Sequence, residues 1–149
     1  MGILYQKQGQ YDKAIQTYKA AIDNLDRVRG NLLSINPDVQ VSFREKVEPV
    51  YRQYMRLLLS APHPDLEQVI KVNGQLQSAE LENYLQCGKL DLVSLSDIQN
   101  VATPSAAIHI IDLGEQVEVI VRSTDRSLHR HTVTANLVKD NTDNLLTTL

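Results

Sequence analysis

The chain has little of what marks several protein classes. One of its 149 residues is cysteine (Cys87), none is tryptophan, and Phe43 is the single phenylalanine. A lone thiol excludes an internal disulfide framework and a cysteine-rich zinc centre, and it fits a reducing compartment, so a cytoplasmic location is expected. No segment approaches the ~18 consecutive apolar residues of a membrane helix, and no basic stretch followed by an apolar one opens the chain. Neither export nor membrane insertion is expected. Charge of one sign is missing too: 15 Lys and Arg stand against 18 Asp and Glu, a formal net charge of −3. That balance lacks the sustained basic field of a nucleic-acid binder, which sets nucleic acid aside as a partner.

What is present is the composition of a packed globular chain, 42% hydrophobic and 22% charged. The first part reads as helical. Tyr11, Ala14, Ile15, Tyr18, Ala21, Ile22, Leu25, Val28 and Leu32 recur at the three-and-four spacing of one helix face, and Gly9 supplies a tight turn before them. A second helix is opened by Asn36-Pro37-Asp38, or later by Ser42 with Glu45 as a capping box. It carries Phe43, Val47, Val50, Tyr51, Tyr54, Leu57 and Leu58 on one stripe, with Pro49 expected to kink it. Pro62-His63-Pro64-Asp65 ends that helix and starts a third, whose buried face would hold Leu66, Val69, Ile70, Leu76, Leu81, Tyr84 and Leu85, with Gly88 as its cap.

Residues 89–105 read as a linker closing on Ala102-Thr103-Pro104-Ser105, and beyond it the period becomes that of strands. Ile108 to Leu113 form one strand. Val117, Val119 and Val121 alternate with Glu118 and Arg122 in the next, and Leu128 to Val133 form the third, with Gly114-Glu115 and Thr124–Ser127 as turns. Such a meander has an apolar face that needs another layer. Leu137, Val138, Leu145, Leu146 and Leu149 then fall at roughly helical spacing, as in a helix that is cut short.

The spacing of Gly2, Tyr5, Gly9, Tyr11, Ala14, Tyr18 and Ala21 is more specific than amphipathicity and resembles the small/large order of a tetratricopeptide repeat. Met1 departs from it by standing where the pattern has leucine. In that repeat the small residues Gly2, Ala14 and Ala21 let two helices approach, and Tyr5, Tyr11 and Tyr18 fill the space between them. One such repeat cannot bury its own face, so neighbouring repeats are expected upstream. The wider order of segments resembles CHAT proteins, in which a caspase-like domain follows tetratricopeptide repeats. Three stretches carry this: Ile35 to Tyr51 around Asn36-Pro37-Asp38 and Val47-Glu48-Pro49-Val50-Tyr51; Leu76 to Leu85; and Ala106 to Val133. The resemblance implies a caspase-type fold whose histidine–cysteine dyad, used for peptide-bond cleavage, lies downstream of this region.

Single residues with chemical potential have plainer readings. Cys87 is expected at a helix end, outside the caspase-like part and without a local signature of a nucleophile, so it reads as a small hydrophobe. His129 and His131, two apart on a strand, share a face with Val133. A zinc site needs more ligands than these two, so they read as polar residues on a solvated sheet face. The tyrosines could line a peptide groove but fit better as packing between helices. Arg44, Lys46, Arg52 and Arg56, mixed with Glu45 and Glu48, read as a solvated helix face.

The expected architecture is therefore α+β. Helical hairpins like those of tetratricopeptide repeats occupy about residues 1–88, a partial repeat over 1–33 and a helical region over 34–88. The linker at 89–105 leads to 106–149, the first part of a CHAT domain, with an antiparallel meander at about 106–134 and a partial helix. The function expected is that of a non-catalytic interaction scaffold from a protein of that kind, or of an independent adaptor that binds a protein partner by helix stacking or strand addition. No cofactor, metal or membrane is expected, and no enzymatic activity of these residues.

Overall fold

The computed structural model describes residues 1–32, 43–85 and 105–140 of the chain. The fold is α+β, helices first and then an antiparallel three-stranded meander. The chain divides into two compact units, Met1–Leu95 and Ser96–Leu149.

In the first unit, α1 (Gly2–Lys7) and α2 (Tyr11–Leu32) are joined by a tight turn. Gly9 takes φ +71°, a left-handed conformation that a Cβ disfavours. The turn closes with the amide of Gly9 donating to the Gln6 carbonyl at 3.0 Å and that of Gln10 to the Tyr5 carbonyl at 2.9 Å, the paired bonds of a Schellman cap. A π-helical turn (Phe43–Val47) leads into α3 (Glu48–Leu59). Pro49 stands in the first turn of α3, where its missing N–H has no intrahelical partner to lose. The kink expected inside one continuous helix is thus replaced by a change of helix type just before the proline.

α3 packs against both α2 and α4 (Leu66–Leu85), and this central position shows in its burial. Tyr51, Tyr54, Met55, Leu57, Leu58 and Leu59 are all buried, a band wider than the single stripe that the spacing predicts. The connection to α4 ends at Asp65, whose Oδ1 accepts the Gln68 amide at 2.9 Å as an N-cap. The buried face of α4 runs through Val69, Ile70, Val72, Asn73, Leu76, Ala79 and Glu82. Its last turns therefore correct the expected face: Leu81, Tyr84 and Leu85 are 39%, 80% and 52% exposed. The Asp26 carboxylate ties three helices, accepting from the Tyr51 hydroxyl at 2.6 Å and from Gln75 Nε2 at 2.9 Å.

In the second unit, β1 (Ala107–Asp112), β2 (Gln116–Arg122) and β3 (Leu128–Thr134) pair antiparallel in the order β1-β2-β3. Gly114, at φ +93°, makes the first turn, and the Gly114 amide donates to Asp112 Oδ1 at 2.6 Å. The second turn places Arg126 at φ +70°, with the Asp125 carboxylate accepting both the amide and the hydroxyl of Ser127. Residues 135–140 are helical, entered through an Ala135 amide bond to the Glu115 carbonyl at 3.1 Å. The expected helix start at Asn36-Pro37-Asp38, the capping serine Ser42, Cys87, the cap Gly88, the 89–104 part of the linker and Leu145 to Leu149 lie outside the described residues.

Candidate functional site

The residues singled out by the repeat-like spacing come together in part. Gly2 is buried against Tyr18, so closely that a Cβ at position 2 would lie 2.7 Å from Tyr18 Cε2. Ala14 is fully buried, and Ala21 is half-buried. Tyr18 stacks on Tyr54 of α3, ring centroids 6.1 Å apart, and its hydroxyl donates to Gln53 Oε1 at 3.0 Å. Burial pushes the phenols of Tyr18 and Tyr54 above their ordinary range, because the ionised form loses solvation. Tyr5 is half-buried and lies under the Lys13 ammonium, 5.8 Å from the ring centroid. Gly9 serves the turn by its φ alone, with nothing near its missing Cβ. Tyr11 corrects the expectation: at 54% exposure it fills no space between helices. It opens α2 on the solvent side, with Ile3 and Leu4 of α1 also exposed.

The sheet has two unlike faces, and the register assigns each residue to one. On the first, Ile111 pairs across to Glu118 and Glu118 to Thr132, while His109, Ile120 and Arg130 form the next row. Ile111, Glu118 and Ile120 are buried at 1%, 0% and 0% exposure. Glu118 receives four hydrogen bonds there. Arg130 donates from Nε to Oε2 at 2.8 Å and from Nη2 to Oε1 at 2.9 Å, Thr132 Oγ1 donates to Oε2 at 2.9 Å, and Gln116 Nε2 donates to Oε1 at 2.7 Å. The bidentate fork holds the Arg130 guanidinium still more firmly in its charged form. A buried carboxylate with every lone pair occupied is a structural device that fixes the β2–β3 register, since a slip of one residue would send Glu118 to the other face.

The second face carries the aliphatic residues in three rows: Ile108, Val121 and His129; Ile110, Val119 and His131; Asp112, Val117 and Val133. Ile108 and Ile110 are 65% and 66% exposed, and the four valines are half-buried among themselves. The sequence pattern, with valines alternating against Glu118 and Arg122, suggests the reverse arrangement of solvated and buried faces. Ile120 and the bonded Glu118 make the glutamate side the buried one. His129 and His131 thus stand on an otherwise aliphatic surface, and among the described residues no three His, Cys, Asp or Glu side chains gather as metal ligands.

One polar relay occurs at the β2–β3 turn. The Ser127 hydroxyl donates to Asp125 Oδ1 at 2.7 Å, and its oxygen lies 3.0 Å from His129 Nε2. The Ser127 hydroxyl and then its amide hold the Asp125 carboxyl below the usual range. In a nucleophilic relay the carboxylate orients the imidazole, which then takes the hydroxyl proton. Here the carboxylate meets the hydroxyl instead, so the arrangement closes a turn and does not activate the serine.

Among the described residues no helix is long and apolar enough to cross a membrane. Compared with protein-family models, curated proteins and solved structures, the chain gives no match.

Proposed function

We propose that this chain is a non-catalytic protein-interaction scaffold, in which repeat-like helices lead into the first strands of a CHAT-type, caspase-like domain. The observation that carries the reading is the aliphatic sheet face, where Ile108 and Ile110 leave about two-thirds of their surface in water (65% and 66%). Isolated exposed apolar residues are ordinary, but a contiguous set in register on one face marks a surface that another chain covers. The small-against-aromatic contact of Gly2 with Tyr18 supports the repeat-like part of the reading. The absence of like charges on the aliphatic rows suits association driven by burial and not by electrostatic steering.

The test is a photo-crosslinking amino acid placed at position 110 of the full chain in cells, with position 124, a polar turn residue, as the control. A discrete protein adduct formed from 110 and absent from 124 is the expected result. No adduct at 110, or equal adducts at both, overturns the scaffold reading. Hydrolysis of a peptide panel by the purified chain would overturn its non-catalytic part.

A further inference from the structure

We infer that the aliphatic face of the sheet takes a single amphipathic helix of a partner protein, lying along the strands over Ile108, Ile110, Val117, Val119 and Val121. The inference rests on the scaffold reading and narrows it, and the dimensions of the face carry it. Its aliphatic side chains come mainly from β1 and β2, with Val133 alone from β3, whose other members on that face are His129 and His131. Two strands at ~4.8 Å spacing make a strip about 10 Å wide, and six residues at ~3.4 Å make it about 20 Å long. One helix is ~10–12 Å across and covers 20 Å with about 13 residues, so strip and helix match in both directions.

The same dimensions argue against the other occupants. The strip covers roughly 200 Å², whereas each partner in a standard stable interface contributes ~800 Å², so this face alone does not hold a second copy of the chain. A basic or acidic partner has no opposite charge to meet, because the rows hold no Lys, Arg or Glu and Asp112 stands at one corner. Fit to this strip calls for aliphatic residues at the i, i+3, i+4, i+7 positions of the partner helix, the spacing that places them on one face.

The experiment titrates the full chain, labelled at isoleucine methyls, with a capped 16-residue peptide. The peptide carries leucine at i, i+3, i+4 and i+7 spacing and alanine and glutamine elsewhere; a control peptide has the same composition in scrambled order. The expected result is saturable methyl shifts at Ile108 and Ile110 with the patterned peptide, at least about tenfold weaker in Ile110→Lys and in Ile108→Lys, consistent with loss of one buried aliphatic side chain. Dispersed methyl signals from Ile111 and Ile120 in both variants show that the sheet remains folded. Equal shifts from the scrambled peptide overturn the inference. So do shifts at Ile108 and Ile110 that track the chain's own concentration without peptide, the mark of a second copy, or their broadening by phosphatidylcholine vesicles, the mark of a membrane. A position-110 crosslink in cells combined with no peptide binding would defeat the helix and leave the scaffold reading standing.

Discussion

Replacing Glu118 with alanine removes the acceptor on which Arg130, Thr132 and Gln116 converge at 2.7–2.9 Å. Breaking a buried pair by deleting one member costs ~3–5 kcal/mol, because the other charge is stranded. The Arg130 side chain is 28% exposed and can turn partly to water, which lowers the expected loss to about 2–3 kcal/mol. The assay must report on this unit alone. All six tyrosines and Phe43 precede residue 96, so aromatic signals follow only the first unit. Amide hydrogen exchange of the β2 and β3 peptides follows the second. Where exchange goes through opening of this unit, a loss of 2–3 kcal/mol accelerates it about 30- to 150-fold. Replacing both partners, Glu118→Leu with Arg130→Leu, should bring exchange back to within about tenfold of the original, because a satisfied pair is worth little more than apolar packing. Exchange in Glu118→Ala within about threefold of the original chain, or a double variant no better than the single one, would refute the reasoning.

In the first unit, Gly2→Ala should lower stability by about 1–3 kcal/mol in a chemical melt followed by helicity, since the added methyl meets the Tyr18 ring at 2.7 Å. Gly74→Ala should raise it by about 0.5–1 kcal/mol, because that helical glycine has nothing within 4 Å of its missing Cβ. Gly9→Ala should cost about 1 kcal/mol through its φ of +71° alone, with no change in the packing of α1 on α2. Burial raises the phenols of Tyr18 and Tyr54 from their ordinary 10.0, so their neutral forms favour the folded state. That contribution is complete below about pH 10 and is lost as pH rises through the folded values. Helicity should fall together with the appearance of tyrosinate absorbance, and less steeply in Tyr18→Phe; a helical signal that stays flat through the tyrosinate transition would count against it.

Element types were readable in the sequence because they depend on local spacing. The change from a three-and-four period to a two-residue period falls where helices give way to strands, and Gly9, Asp65 and Gly114 stand at the turns and caps their chemistry suits. The Gly2, Ala14 and Tyr18 contacts were readable for the same reason, as small and large residues at matched positions on two adjacent helices. The π-helical turn was not, since no residue type specifies it. Tyr11 was misleading because hydropathy counts a tyrosine as a packing residue even where it opens a helix on the solvent side.

Which face is buried depends on residues far away in the chain, and there the pattern failed twice for one physical reason. On α4, the polar Asn73 and Glu82 occupy the buried face, while Leu81, Tyr84 and Leu85 at i, i+3 and i+4 lie outside. On β2, Glu118 is buried because Arg130 and Thr132, more than ten residues later, bring donors to it, and the valines that alternate with it face outward. A hydropathy pattern assumes that a carboxylate is solvated; a bidentate guanidinium and a hydroxyl remove that assumption by replacing the water. An aliphatic face left in water opposite a satisfied polar one is the reverse of what a free-standing sheet needs. The candidate site was therefore legible as a set of valines and isoleucines, but its exposure became visible only once the Glu118 network had claimed the other side of the sheet.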